Sequence, residues 1–232
     1  MKKIISLLTI FIIIFTVTGC FNKEKTDAMK FKEEYESINN EKTDSGKKYR
    51  ELSIDKNNPF VYSTAEEIVT KIDKKESFIV YFGFKECPWC RSVIEQLIKA
   101  AKNQSIETIY YVDVTGIRDV KEIDKDGNIK TTDEGSKAYL ELIDKLSNVL
   151  DNYTLTNENN ETIEVGEKRI YAPNVIAISR GKAIQLETGI SDELKDPYSK
   201  LTEKMKKYSY NKFKCLIECF EEDSNTCQKN TC

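Results

Sequence analysis

Two cysteines three residues apart, Cys87 and Cys90, carry the sharpest chemical signal in the sequence, within Phe84-Lys85-Glu86-Cys87-Pro88-Trp89-Cys90-Arg91. Pro88 suits the first position of a helix, where its missing N–H costs nothing. Cys87 then falls at the N-cap, facing unpaired backbone N–H groups and the positive end of the helix dipole, which favour a thiolate. Cys90 lies one turn further on, and Ile94, Leu97 and Ala101 continue its stripe toward a core. The expectation is one exposed, activated sulfur and one sheltered sulfur able to close on it, as thiol–disulfide exchange requires. Half of a zinc site has the same spacing. Its second half is not evident, since the other paired cysteines, Cys215 with Cys219 and Cys227 with Cys232, lie far along the chain.

The composition removes much of the rest of enzyme chemistry. The 232 residues include no His, which excludes Ser-His and Cys-His catalysis, His-type zinc sites and an imidazole pH switch. Lys and Arg total 36 against 39 Asp and Glu, a formal charge of −3. That balance lacks the basic excess nucleic-acid binding draws on, so no nucleic-acid partner is expected. Neither a metal nor a cofactor is called for by the remaining residues.

The other five cysteines fall at the two ends. Met1-Lys2-Lys3, an apolar run over 4–17 and Val17-Thr18-Gly19-Cys20 are similar to a bacterial lipoprotein signal. The run is short for a membrane span across ~30 Å of hydrocarbon. Cleavage would leave Cys20 to carry the lipid, fixing the protein to the outer face of the plasma membrane, where disulfides persist. At the other end, Cys215 and Cys219 share a helix face, and two disulfides are the natural reading. Four cysteines allow three connectivities, and a tail folding back would pair Cys219 with Cys227 and Cys215 with Cys232. A site of four thiolates on a metal is the alternative at this point.

These sites need elements to position them. The run FIVYF at 78–82 is apolar without alternation, as in a strand covered on both faces. Similar runs occupy 109–114 and 175–178. A helix over 64–74 carries Ile68, Val69 and Ile72, and another carries Tyr139, Leu142, Ile143, Leu146, Val149 and Leu150. Leu52 and Ile54 alternate with polar neighbours as a short edge strand. The turn Ser179-Arg180-Gly181-Lys182 predicts a hairpin with 183–186. Asp196-Pro197 predicts the start of a last helix carrying Leu201, Met205, Tyr208, Phe213, Leu216, Ile217 and Phe220. Two polar hairpins are expected between 114 and 173, turning at Asp126-Gly127 and near 157–160. The organisation is then signal peptide 1–19, lipid-anchored tether 20–48, folded domain 49–213 and cysteine-rich tail 214–232. The tether is polar enough to stay unpacked, with room for one helix over 28–38. A docked helix with Met29, Tyr35 and Ile38 as its stripe is the other reading.

A buried strand leading into C-x-x-C at a helix start, and Tyr171-Ala172-Pro173 just before the strand at 175–178, resemble the thioredoxin superfamily over most of 49–213. The lipobox with FGFKECPWCRS looks like the Gram-positive thioredoxin-like lipoproteins and bacteriocin-accessory disulfide proteins. The resemblance implies a thioredoxin-like α/β fold, a central mixed sheet with helices on both faces. It also implies a cis Pro173, and Ala172-Pro173 facing Cys87 as a substrate-binding edge beside Pro88 and Trp89. In thioredoxin a buried carboxylate stands six residues before the first active cysteine and helps move the resolving thiol's proton. Here that residue is Tyr81, and Glu86, Tyr81 and water all remain candidates for the role. The dipeptide between the cysteines resembles that of glutaredoxins more than that of thioredoxin.

The expected function is therefore a membrane-anchored, extracytoplasmic thiol–disulfide oxidoreductase. Cys87 is the nucleophile and Cys90 the resolving thiol, and exported proteins or peptides are the partners. A membrane redox protein or a transporter is a further candidate partner. The alternative is a redox-silent module in which the Cys87–Cys90 pair is structural and the hairpins bind an exported peptide or a transporter.

Overall fold

The computed structural model describes residues 24–221. In chain order the elements are α1 (Asp27–Glu36), β1 (Phe60–Tyr62), α2 (Ala65–Asp73), β2 (Phe78–Gly83), α3 (Pro88–Asn103), β3 (Ile109–Asp113), β4 (Val120–Ile123), β5 (Ile129–Asp133), α4 (Lys137–Leu146), β6 (Asp151–Thr156), β7 (Thr162–Arg169), β8 (Asn174–Ser179), β9 (Lys182–Glu187) and α5 (Glu203–Glu221). The main sheet runs β1-β3-β2-β8-β9. β1, β3 and β2 are parallel, β8 pairs antiparallel with β2 and β9 antiparallel with β8, so the fold is α/β with a mixed central sheet.

The unbroken apolarity of β2 has the cause expected of it. All six residues are buried because both sheet faces are covered. Ile79 and Tyr81 point into one core with Tyr111, Val175 and Ala177, roofed by α1, α3 and α5. Phe78, Val80 and Phe82 point into the other with Val112, Ile176 and Ile178, roofed by α2 and α4. α2 starts at a capping box in which Thr64 and Glu67 satisfy each other's backbone N–H groups. β8 and β9 meet at a turn where Arg180 and Gly181 both have positive φ (49° and 74°), the backbone that a two-residue hairpin of this twist demands. Both insertion hairpins are present as separate two-stranded sheets, β4 with β5 and β6 with β7.

Four expectations need correction. Residues 27–38, assigned to an unpacked tether, form α1 and its exit and dock on the domain. Phe31 and Tyr35 have no exposed surface and Ile38 is buried with them. Phe31 stacks on Phe60 at 4.0 Å between ring centroids and on Tyr35 at 4.3 Å. The buried stripe is Phe31, Tyr35 and Ile38 at i, i+4 and i+7, and Met29 lies beside it. Two aromatic rings bury enough area to dock an otherwise polar helix.

Leu52 and Ile54 are buried, yet they form no strand. Side chains from the N-terminal segment take the hydrogen bonds a neighbouring strand would have made. The Asn39 amide donates to Leu52 O (2.9 Å) and its oxygen accepts from Leu52 N–H (3.0 Å), while Glu36 Oε1 accepts from Ile54 N–H (2.6 Å). The edge position belongs instead to three-residue β1, too short to show a period. α5 starts at Glu203 rather than at 196–197. Asp196 closes its own turn onto Tyr198 and Ser199, and the Thr202 hydroxyl accepts from Met205 N–H as the real cap. Finally, the tail boundary at 214 falls inside α5, where Leu216 and Ile217 are fully buried.

Candidate functional site

The sheet register builds the site. β2 and β8 pair with Phe82 opposite Asn174, so the segment entering β8 lies beside the end of β2. From that end, a short loop leads to the N-terminus of α3. Cys87 is the N-cap of α3, in extended conformation, and Pro88 opens the first turn. The Ala172–Pro173 peptide bond is cis. In this position the Cys87 thiol donates to Ala172 O at 3.3 Å across 85 residues of sequence. The cis proline and the dithiol expected to face each other therefore do so.

Cys87 and Cys90 are both free thiols. The Cys90 N–H donates to Cys87 Sγ at 3.2 Å, the orphan-donor contact that an N-cap side chain makes. The Cys87 thiol is held below its ordinary value, first by a hydrogen bond from the Cys90 side chain. The Cys90 and Trp89 N–H groups and the Arg118 guanidinium act in the same direction, against the opposing effect of burial. Cys90 is pushed well above the ordinary value, first by burial and then by Cys87. One sulfur is thus favoured as thiolate at the other's expense. The expected exposure of Cys87 needs correction, because it is only 4% exposed against 0% for Cys90. The Ala172 carbonyl packed against its sulfur is part of the reason.

Of the expected substrate-binding residues, Pro88, Trp89 and Ala172 are partly exposed and present an edge around Cys87, whereas Pro173 is buried beneath it. Glu86 is exposed and its carboxylate lies 3.6 Å from Lys85. Tyr81 is fully buried in the same core as Cys90, and its hydroxyl lies 3.0 Å from the Tyr35 hydroxyl. Of the two side chains expected for proton transfer, Tyr81 shares the buried core with Cys90 and Glu86 does not.

Two further residues of the site are not evident from the sequence. Arg91, the residue after Cys90, is 1% exposed. Its guanidinium donates to Arg50 O (2.9 and 2.5 Å), Tyr35 O (2.7 Å), Lys85 O (3.3 Å) and Asn39 Oδ1 (2.8 Å). The fork thereby ties α1 and the segment after it to the start of α3, using carbonyls rather than a carboxylate to offset the burial of a charge. Arg91 stands beside, not on, the expected stripe of Cys90, Ile94, Leu97 and Ala101, so the periodicity does not signal it. Arg118, just before β4, lies over the Phe84 ring (5.4 Å) and supplies positive charge near Cys87. The base of the insertion therefore touches the chemistry. Nothing in the local sequence around Arg118 signals this.

Cys215 and Cys219 are both disulfide-bonded. Their expected partners Cys232 and Cys227 lie outside the described residues, as do Cys20 and the signal segment 1–19. Among the described residues no cluster of three or more His, Cys, Asp or Glu could hold a metal ion, and no helix is long and apolar enough to cross a membrane. No protein-family model matches the chain, and no curated protein matches it.

Proposed function

We propose that the chain is a thiol–disulfide oxidoreductase of thioredoxin-like fold, anchored through a lipid on Cys20 to the outer face of the plasma membrane and acting on exported proteins or peptides. The observation that carries the reading is the asymmetry of one dithiol. Cys87 is stabilised as a thiolate at a helix N-terminus, Cys90 is buried and protonated one turn away, and the cis Ala172–Pro173 edge lies against the first sulfur. The Cys87 thiolate attacks a substrate disulfide and forms a mixed disulfide, releasing one substrate sulfur as a thiolate. Cys90, once deprotonated, attacks Cys87 Sγ, releases the second substrate sulfur and leaves the Cys87–Cys90 disulfide. Two electrons pass from dithiol to substrate, and the reverse sequence oxidises a substrate dithiol. Neither direction needs a cofactor.

The partly exposed atoms of Pro88, Trp89 and Ala172 form the edge along which an extended peptide would lie, with the Ala172 backbone beside the reacting sulfur. Replacing Cys90 with Ser removes the resolving thiol while leaving Cys87 activated, so Cys90→Ser is expected to accumulate mixed disulfides with exported proteins and Cys87→Ser is not. Equal trapping by both variants, or by neither, would remove the division of roles. An acyl mass on Cys20 checks the anchor. The 4% exposure of Cys87 favours one competing reading, a redox-silent module whose buried cysteine pair is structural. That reading requires Cys87 in the native protein to resist alkylation at neutral pH.

A further inference from the structure

Cys90 has no exposed surface, yet its proton must leave before its sulfur can close on Cys87. This closing step belongs to the oxidoreductase reading above, and a route for its proton rests on that reading. Tyr81 lies in the same fully buried core as Cys90, and its hydroxyl acts on the Cys90 sulfur. Tyr81 Oη lies 3.0 Å from Tyr35 Oη, and the Tyr111 ring meets that of Tyr35 edge-on at 6.0 Å between centroids. Tyr111 Oη then donates to Glu34 Oε1 at 3.1 Å, and Tyr62 donates to the other carboxylate oxygen. The phenols of Tyr35, Tyr81 and Tyr111 are 0% exposed, whereas Glu34 is partly open to solvent. A phenol both donates and accepts, so this buried cluster of three, ending on a carboxylate, holds the donors and acceptors that a proton leaving the sulfur would use.

We propose that the hydroxyls of Tyr81, Tyr35 and Tyr111 carry the Cys90 proton to the Glu34 carboxylate when the mixed disulfide closes. The Cys90 proton passes to Tyr81 Oη as Tyr81 hands its own to Tyr35, Tyr35 to Tyr111 and Tyr111 to Glu34 Oε1. No phenolate is left behind. The resulting Cys90 thiolate attacks Cys87 Sγ, the Cys87–Cys90 bond forms, and the bond from Cys87 to the substrate sulfur breaks with its electron pair on that sulfur. Glu34, now neutral, returns the proton to water. Burial holds the Glu34 carboxyl above the usual carboxylate range, which makes it a better acceptor, against the hydrogen bonds from Tyr62 and Tyr111. The other charges facing it are Asp113, which raises it further, and Lys85, which lowers it. Tyr35 and Glu34 are consecutive residues of α1, so docking of that helix completes the path.

The test is the reaction of the reduced full chain, in detergent, with 5,5′-dithiobis(2-nitrobenzoate), monitored by stopped-flow absorbance. Attack by Cys87 releases one aromatic thiolate, and closure by Cys90 releases the second. Cys90→Ser identifies the second phase by abolishing it. Glu34→Gln is expected to leave the first phase at the wild-type rate and to slow closure by roughly 100-fold at pH 7, the lower end of what general base catalysis contributes. It should also reduce the solvent isotope effect on closure, and Glu34→Asp, which keeps the carboxylate, should restore most of the rate. Closure at the wild-type rate in Glu34→Gln overturns the proposal. So does equal slowing by Gln and Asp, or equal slowing of both phases, because each marks a structural effect. A wild-type protein with no second phase would instead overturn the oxidoreductase reading, and this inference with it.

Discussion

Gly83 ends β2 directly above the site, and replacing it with Ala tests how tightly Tyr81 is held over Cys90. A Cβ at residue 83 would lie 2.2 Å from Tyr81 Oη and 2.4 Å from Tyr81 Cζ, against a floor of 3.0 Å for real Cβ contacts. The hydroxyl must therefore retreat by about 0.8 Å. It has nowhere to go at low cost, because the ring is fully buried between Phe60 at 5.5 Å and Tyr111 at 5.6 Å. Forcing an extra carbon into such packing costs about 1–3 kcal/mol. A retreat of this size also breaks the 3.0 Å hydrogen bond to Tyr35, a loss of about 0.5–1.5 kcal/mol. Ala regains ~0.5–1 kcal/mol over Gly through backbone entropy, which leaves a net destabilisation of about 2 kcal/mol. Guanidinium chloride unfolding with linear extrapolation measures it. The same substitution in a Tyr81→Val background meets no ring, and the cost should disappear, giving a coupling of about 2 kcal/mol. A Gly83→Ala protein within about 0.5 kcal/mol of wild type, or an undiminished cost in the Tyr81→Val background, would refute the argument.

Phe31→Ala removes a fully buried ring that stacks on Phe60 and Tyr35, and is expected to cost about 3–5 kcal/mol and to expose residues 24–38 to limited proteolysis; unchanged protease resistance would mean that α1 is held by other contacts. For Cys87 the sign comes from its depressed value: alkylation tracks the thiolate, so its rate should rise with pH and level off with a half-point below 9.0, and Arg118→Ala should move that half-point upward. A half-point at or above 9.0 in the native protein would contradict the N-terminal helix environment of this sulfur.

Where a signal is complete within a few residues, the sequence alone determined the outcome. Pro88 after Cys87 placed a helix start with a sulfur at its cap, because capping is a contact between residues three apart. The apolar run of β2 implied cover on both faces, since an exposed face would have shown alternation. Asp126-Gly127 and the polar segment at 157–160 marked two hairpins, whose turns need only local backbone freedom. For α1 the sequence suggested a stripe of Met29, Tyr35 and Ile38, whereas the buried one is Phe31, Tyr35 and Ile38, and a polar background of Lys and Glu concealed how much area two rings bury.

Tertiary structure decided what depends on partners distant in sequence. The strand expected at Leu52 and Ile54 was displaced because Asn39 and Glu36, on and beside α1, satisfied their backbone groups. Tyr35 meets Tyr81 across 46 residues and Tyr111 meets Glu34 across 77. Arg91 became a buried clamp because four acceptor groups from separate segments converge on it. No periodicity or motif encodes such meetings. They arise when hydrophobic burial brings the segments together and most enclosed polar groups find a partner there, so the cysteines are a local property of the chain and the surroundings that set their acidity are a property of the fold.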